Sequence, residues 1–352
     1  FTHSLVAELW GDYVLYLTFI EIMSKLFSFQ SWQGFIKFGT SFKEKNEHKN
    51  YLMLLKYSFY IDFITSMFAF ILVVALGSYA VQFFEIPDEF KNILIFMSFT
   101  VVFQVMEVTT GIFRVYDKFK IQAKIAVYAA FFKLILFGVV AITSATFELF
   151  IYMTVLAQFI QFMLKIYFAK KLLNENGVLV ADIATSKIDF AMFRKVKYLS
   201  FIIYNNFSWS VRMVSRQFDT VLLGKLFGAE TVGLYKIAKE IANIIAKLTD
   251  PIYQTIYPEF ARMLESGKKK ETRDIAIKIA LITTMAGVMF YLAFVLLGKW
   301  AIVIAFGEEF RSAYSITLVY FIAILIAIIS LPLVPLLLSH GLAKEAFYNQ
   351  LL

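Results

Sequence analysis

Apolar runs of about twenty residues recur along this chain, and a run of that length spans the hydrocarbon core of a bilayer as a helix. The chain has 352 residues, of which 60% are hydrophobic and 17% are charged. Soluble domains, by contrast, are about a quarter charged. The sequence therefore predicts an all-α polytopic membrane protein with spans near 13–37, 52–82, 92–113, 125–143, 149–168, 198–223, 232–257, 274–297 and 314–338.

Basic residues are distributed unevenly between alternate loops. Eighteen Lys and Arg lie in one set of loops, at 39–51, 114–124, 169–197 and 258–273. Only four lie in the other set, at 83–91, 144–148, 224–231 and 298–313. Because Lys and Arg accumulate in cytoplasmic loops, we expect the first set to be cytoplasmic. This topology explains the formal charge of +8 without a nucleic-acid partner. Separately, the chain contains no cysteine, which excludes disulfides and thiolate metal sites.

Polar residues form a stripe on one face of each of two neighbouring apolar helices. The first stripe, at steps of three and four, is Asn205, Ser208, Arg212, Ser215, Arg216 and Asp219. The second is Lys236, Lys239, Glu240, Asn243, Lys247 and Asp250. A charge at the centre of a bilayer costs about 2.5–3.5 kcal/mol, so such residues normally face a bundle interior or a wet cavity. The two stripes are expected to form facing walls of one chamber, and five bases against three acids favour an anion.

Structural roles for these charges stay open beside the functional one. Neighbouring residues can neutralise one another or snorkel to the headgroups, as in Arg216 with Asp219, Lys247 with Asp250, and Lys236 with Lys239. Arg212 has no acidic neighbour within one turn of its own helix. Five further charges are isolated, and most are expected to snorkel or to make interhelical contacts: Asp62, Glu107, Lys133, Lys165 and Lys278.

An internal repeat appears when the chain is shifted by 222 residues. AELWGDY at 7–13 then aligns with AETVGLY at 229–235, and Lys25 aligns with Lys247. Glu21 and Lys25, four residues apart on one helix face, are either a self-neutralised pair or part of a shared central site. The repeat predicts two pseudo-symmetric six-helix lobes, 1–168 and 198–352, joined by a cytoplasmic linker at 169–197. We expect a parent protein of at least twelve helices that is truncated at both ends here.

The region around the second stripe resembles the polysaccharide transporter (oligosaccharide flippase) family of the multidrug/oligosaccharidyl-lipid/polysaccharide exporter superfamily. The motif residues are an Asp before Leu-Gly, a Gly-x-Tyr that opens the next helix, and a Pro-x-x-Ala exit: Asp219, Leu223, Gly224, Gly233, Tyr235, Pro258 and Ala261. LVAELWGDYVLY near the start is similar to the same family's first outer loop and second helix. At the level of motifs, the likeness covers about 50 residues in the second half and 15 in the first, as counted on the printed sequence.

The resemblance implies a two-lobe transporter that works by alternating access, with the leading helices of each lobe lining a central cavity. The candidate substrate-binding residues are Glu21, Lys25, Asn205, Arg212, Arg216, Asp219, Lys236, Lys239, Asn243 and Lys247. The family also implies a location in the inner (plasma) membrane, and envelope biosynthesis proteins such as a polysaccharide polymerase as partners.

The function favoured by these observations is a flippase for polyprenyl-pyrophosphate-linked oligosaccharide, since a cationic chamber supplies charge-assisted hydrogen bonds to phosphate. The alternative is a cation-coupled multidrug antiporter of the same superfamily, which needs buried, unpaired carboxylates. A membrane-embedded sugar or acyl transferase is disfavoured, because His3, His48 and His340 are not paired with acids at catalytic spacing. We therefore expect no enzymatic activity, no cofactor and no metal.

Overall fold

The computed structural model describes residues 7–27, 29, 31–143, 146–195 and 197–339, without some helical side chains, including those of Arg212 and Lys247. Every regular element in these ranges is helical. The α-helices are α1 Ala7–Phe27, α2 Ser31–Glu44, α3 His48–Phe83, α4 Lys91–Met97, α5 Val108–Val115, α6 Phe119–Ile142, α7 Phe147–Glu175, α8 Val180–Thr185, α9 Phe190–Lys195, α10 Tyr198–Glu265, α11 Lys269–Phe306, α12 Ala313–Ile329 and α13 Leu333–Ser339. Short 3₁₀ helices occupy Asp88–Phe90, Ser98–Met106 and Glu308–Phe310.

Five helical segments in the described ranges are long and apolar enough to cross a membrane. They are His48–Phe83, Asp88–Val115, Phe119–Val140, Phe147–Glu175 and Lys269–Phe306. Each coincides with a span predicted from the sequence, and four of them extend beyond both predicted ends, whereas Phe119–Val140 begins earlier than predicted and ends before 143. The extensions carry polar residues that the apolar runs could not reveal.

Three predicted spans are not single regular α-helices, although Asp88–Val115 remains one candidate membrane span. The span predicted at 13–37 is divided into α1 and α2, and the one at 92–113 into α4, a 3₁₀ helix and α5. The span at 314–338 is divided into α12 and α13 by a turn that contains Pro332, whose ring has no N–H for an intrahelical bond.

One buried carboxylate, Asp62 of α3, accepts hydrogen bonds from backbone N–H groups at two of these breaks. Its Oδ1 accepts a hydrogen bond from the backbone N–H of Ser31, the first residue of α2, at 3.4 Å. Its Oδ2 accepts from the N–H of Val108, the first residue of α5, at 2.7 Å. Since the first N–H groups of a helix have no partner within the helix, Asp62 acts as a shared N-cap. Asp62, expected to be a snorkelling or interhelical charge, is an interhelical contact.

The chain between α1 and α2 also depends on α3. Phe29 donates its backbone N–H to Thr65 Oγ1 at 3.2 Å, and Thr65 lies one turn beyond Asp62. A backbone N–H freed at membrane depth costs several kcal/mol unless protein groups accept it. Thr65 and Asp62 of α3 therefore supply the hydrogen-bond acceptors that the backbone needs between α1 and α2.

The chain divides after Glu230 into two compact units. Gly228 lies just before the division and has φ 81°, so α10 consists of two helical arms, 198–227 and 229–265. A φ in this region is readily adopted only by glycine. The first arm thus belongs to the first unit, whereas the lobe boundaries at 168 and 198 rest on the sequence repeat and stay a prediction.

The core of the first unit lies between α2, α3, α5 and the start of α10. Phe35, Leu54, Phe113 and Tyr198 are fully buried there, and Tyr198 Oη lies 2.7 Å from Ser58 Oγ of α3. In the second unit, Phe294 of α11 packs edge-on against Phe321 of α12 with ring centroids 4.7 Å apart. Each unit therefore has its own apolar core.

Helix α1 packs closely against α10 because glycines face the contact. A Cβ on Gly11 would overlap the backbone carbonyl of Ala229, and a Cβ on Gly224 would overlap Leu15. Small residues permit such close approach of helices in membrane proteins. The first arm of α10 is thereby fixed along α1.

Replacing Asp62 should destabilise the first unit in steps. Asp62→Asn leaves one carbonyl acceptor and Asp62→Leu leaves none, and each buried N–H without a partner costs about 1–3 kcal/mol. The apparent melting temperature of the purified protein, followed by size exclusion after heating, should fall from wild type to Asn to Leu. Asp88→Asn, at an exposed carboxylate, is the control. Equal melting temperatures for Asp62→Leu and the control would contradict the shared N-cap.

A methyl group added at Gly11 should separate α1 from α10. Because the obstacle is backbone, Gly11→Ala should lower the melting temperature, with a cost of about 1–3 kcal/mol typical of overpacking. Gly138→Ala is the matched control, since a Cβ there meets nothing within 4 Å and alanine is the better helix former. The close approach is refuted if the two variants melt at the same temperature.

Candidate functional site

A polar cavity of about 200 Å³ lies inside the first unit, next to the helix breaks. Its polar lining comes from three elements: the end of α1, the 3₁₀ helix with the residue that follows it, and α7. The lining residues are Lys25, Thr100, Phe103, Gln104, Glu107, Gln158, Gln161, Phe162 and Lys165. We call this space the polar cavity.

The 3₁₀ winding of Ser98–Met106 determines which side chains of this segment reach the cavity. With three residues per turn, side chains at i and i+3 lie directly above one another. Thr100 thus aligns with Phe103, and Gln104 aligns with Glu107. A 3₁₀ run of nine residues is unusual, since runs beyond three or four are uncommon. The run places two adjacent rows of side chains along one wall.

Helix α7 supplies the facing wall with a polar stripe that the sequence analysis missed. Gln158, Gln161 and Lys165 recur at i, i+3 and i+7, which places them on one face of the helix. The signal was present in the letters QFIQFMLK, but Lys165 was treated as an isolated charge and the glutamines as ordinary span residues. Uncharged amides that recur on one face of an apolar helix therefore help to predict which face lines a polar cavity.

Two lysines and one glutamate set the charge of the cavity. Lys165 Nζ lies 4.0 Å from Glu107 Oε1, and both side chains are about a quarter exposed (25% and 26%). This pair is one of the interhelical contacts expected for the isolated charges. Lys25 lies in the last turn of α1, where a cation also complements the negative end of the helix dipole. The lining carries a net charge of +1, which favours an anion.

Gln104 has an unused hydrogen-bonding group in this lining. Its Oε1 is buried and has no partner among the described residues. A buried acceptor without a partner costs about 1–3 kcal/mol. A water molecule or a ligand hydroxyl that donates to Gln104 would remove this cost.

The first arm of α10 contacts two predicted site residues of α1, Glu21 and Lys25. Gln217 Nε2 donates to Glu21 Oε2 at 2.6 Å, and Ser210 Oγ donates to the carbonyl of Lys25 at 2.7 Å. Asn205 is half-buried, and its Nδ2 is buried without a partner among the described residues. With about 3.6 residues per turn, Ser210 and Gln217 lie on the opposite face of the arm from the predicted stripe, so these contacts do not place the stripe beside Glu21 and Lys25.

Other predicted residues of this arm make local contacts or face outward. Asp219 Oδ1 accepts from the N–H and the hydroxyl of Thr220, at 2.7 and 3.2 Å. Arg216 is exposed and takes part in a further interaction. The side chain of Arg212 lies outside the described residues.

The remaining predicted residues belong to the second unit. Lys236 forms an ion pair with Glu240 at 3.2 Å, and Lys239 Nζ lies 5.5 Å from the ring centroid of Tyr235. Asn243 is half-buried, and the side chain of Lys247 is outside the described residues. A single chamber formed by both stripes stays a prediction.

Metal binding finds no support in the described residues, where no group of three or more His, Asp or Glu is suitably placed. The polar cavity instead offers cations, amides and a hydroxyl, which are groups able to hydrogen-bond to phosphate or sugar oxygens. The arrangement is that of a binding site.

Comparison with known proteins gives a consistent relationship. The chain is 22% identical over 319 residues to the inner membrane protein YghQ of Escherichia coli (strain K12), covering 89% of this chain and 87% of that protein. It is 26% identical over 152 residues to the teichuronic acid biosynthesis protein TuaB of Bacillus subtilis (strain 168), covering 42% of this chain and 31% of TuaB.

A solved structure confirms the predicted fold class. It is an inward-facing multidrug resistance MATE family transporter of the MOP superfamily, with a TM-score of 0.65. It is 12% identical and matches 99% of this chain and 80% of its own, so the likeness concerns the fold alone. Together with the apolar spans, it shows a multi-pass all-α membrane protein.

The family model described as polysaccharide biosynthesis protein matches residues 10–315. This match covers most of the chain and confirms the resemblance drawn from the sequence motifs. The chain therefore belongs to the polysaccharide biosynthesis protein family.

Proposed function

We propose that this protein moves a polyprenyl-pyrophosphate-linked oligosaccharide across the membrane for the synthesis of a cell-surface polysaccharide. The observation that carries the proposal is the polar cavity of the first unit, with its net positive charge. A pyrophosphate with attached sugars cannot cross hydrocarbon without polar partners. Membership in the polysaccharide biosynthesis family supports a glycan as the cargo.

Each group in the cavity lining suits a part of that headgroup. Lys25 and Lys165 bind phosphate oxygens as point charges, and the three glutamines exchange hydrogen bonds with sugar hydroxyls. Phe103 and Phe162 supply apolar faces, with ring centroids 5.6 Å apart. Such faces pack against the C–H surface of a sugar ring.

The volume limits how much of the headgroup enters at once. About 200 Å³ is below the range of roughly 300–1,000 Å³ typical of ligand pockets, so the cavity takes the pyrophosphate and the sugar next to it. The rest of the glycan needs a wider passage, which alternating access supplies through movement of helices. The two breaks whose N–H groups bond to Asp62 lie before Ser31 and before Val108. At these positions the helices can shift while the rest of each membrane span keeps its backbone hydrogen bonds.

Loss of either cavity lysine should reduce transport. A hydrogen bond to a charged group contributes about 1.5–3 kcal/mol, so Lys25→Met or Lys165→Met should weaken substrate binding roughly tenfold or more. The measurement is surface glycan display by a cell without its own oligosaccharide flippase, at matched expression. Lys133→Met is the control, because Lys133 is an exposed lysine on the apolar span α6.

Two outcomes would overturn the proposed function. One is the absence of glycan display from well-expressed wild type together with efflux of cationic dyes, which identifies a multidrug antiporter. The other is an equal loss of glycan display for Lys133→Met and Lys25→Met, which would contradict a role of the polar cavity in transport.

A further inference from the structure

A second, apolar pocket of about 630 Å³ lies between α3, α7 and α8, apart from the polar cavity. Its walls are mostly aromatic and aliphatic, and the polar side chains of Lys56, Thr109 and Lys170 complete the lining. Phe63 is 52% exposed, so the pocket opens at the surface of a membrane-spanning helix. We call it the tail pocket, since its lining suits a hydrocarbon chain.

A third pocket, of about 640 Å³, has a different character and lies between α3, α9 and the start of α10. Arg194 and Lys197 line it together with aromatic rings, and both cations are exposed. Among the rings, Phe190 and Tyr204 are 65% and 75% exposed and so present accessible faces to the pocket. We call it the head pocket, because Arg and Lys bind phosphate and aromatic faces pack against sugars.

Helix α3 joins the two pockets. Tyr57 lines the head pocket, whereas Lys56, Phe59 and Tyr60 on the same stretch of helix line the tail pocket. Lys56 Nζ donates to the carbonyls of Ala184 and Ser186, at 2.6 and 2.7 Å. These bonds fix the end of α8 against α3, so the segment leading to α9 spans the junction between the pockets.

We propose that the tail and head pockets together form a loading site for the lipid-linked substrate, with the isoprenoid chain in the tail pocket and the pyrophosphate with its first sugar in the head pocket. The identity of the ligand rests on the proposed function. Charge complementarity supports this occupant, because the head pocket is lined by two cations and by no acid among the described residues. An ordinary phospholipid leaves the aromatic faces unused.

Half of the residues that line the two pockets come from 169–197, the segment that the sequence predicts to be an inter-lobe linker. The segment carries six Lys and Arg, and the positive-inside rule assigns it to the cytoplasmic side. Lipid-linked sugars made on that side would meet this site before the polar cavity. The linker thereby gains a function in substrate capture.

Direct binding tests the loading site without requiring transport. Purified full-length protein is titrated with a fluorescent polyprenyl pyrophosphate, with unlabelled phosphatidylglycerol or inorganic pyrophosphate as competitors. The double variant Arg194→Gln, Lys197→Gln should bind roughly tenfold or more weakly, because charge-assisted hydrogen bonds are lost. Ala184→Trp, which fills the tail pocket, should weaken binding as well.

The matched control is Lys269→Gln, Lys270→Gln, which removes the same charge from the exposed first turn of α11. It should bind like wild type, and neither competitor should displace the probe at concentrations where unlabelled polyprenyl pyrophosphate does. The proposal would be overturned if the control lost as much probe binding as Arg194→Gln, Lys197→Gln, or if phosphatidylglycerol competed as well as unlabelled polyprenyl pyrophosphate. Probe binding equal to wild type by both Arg194→Gln, Lys197→Gln and Ala184→Trp would also overturn it.

Failure of the loading site is distinguishable from failure of the proposed function. Wild type that displays glycan while head-pocket and tail-pocket variants bind normally contradicts the loading site alone. Wild type that binds the probe through both pockets but displays no glycan contradicts the transport function. Lys25→Met should lose display, whereas the drop in probe binding caused by Arg194→Gln, Lys197→Gln should persist in the Lys25→Met background, because the two pockets are separate from the polar cavity.

Discussion

The shared N-cap made by Asp62 is the interaction on which the first unit depends. A carboxylate taken out of water is costly, and its cost is offset only by well-placed partners. Asp62 has such partners in the N–H groups of Ser31 and Val108, each at the positive end of a helix. A single side chain thereby stabilises two interrupted helical segments at once. Two continuous apolar helices would not need such a polar partner. The cost of the breaks suggests that they serve function.

The breaks explain how an apolar bundle acquires a polar interior. Where α1 ends, Lys25 is positioned by the helix terminus, and where the regular α-helix gives way to a 3₁₀ run, Thr100, Gln104 and Glu107 reach one wall. Helix α7 remains continuous and contributes its stripe through ordinary helical spacing. Discontinuous helices at membrane depth form binding sites in many transporters, and the proposed export of a charged, sugar-bearing lipid uses the same physics.

The sequence predicted the all-α membrane fold because hydrophobic length and charge distribution are determined by the bilayer. It also identified Lys25 as a site candidate through the repeat. It could not predict the breaks after Phe27 and before Val108, since their polar partners lie on another helix, at Asp62 and Thr65. Gln158 and Gln161 were missed because uncharged amides barely change hydropathy. The stripe on the second arm of α10 stays a prediction.

Photo-crosslinking from inside the polar cavity tests the central claim most directly. A photoreactive phenylalanine analogue at Phe103 should capture a sugar-labelled polyprenyl-pyrophosphate glycan in membranes, and excess unlabelled substrate should abolish the crosslink. The same analogue at Phe131, an exposed residue of α6, should give at most a weak signal that unlabelled substrate does not abolish. A saturable crosslink at Phe131, or none at Phe103 in protein that displays glycan, would contradict substrate passage through this cavity.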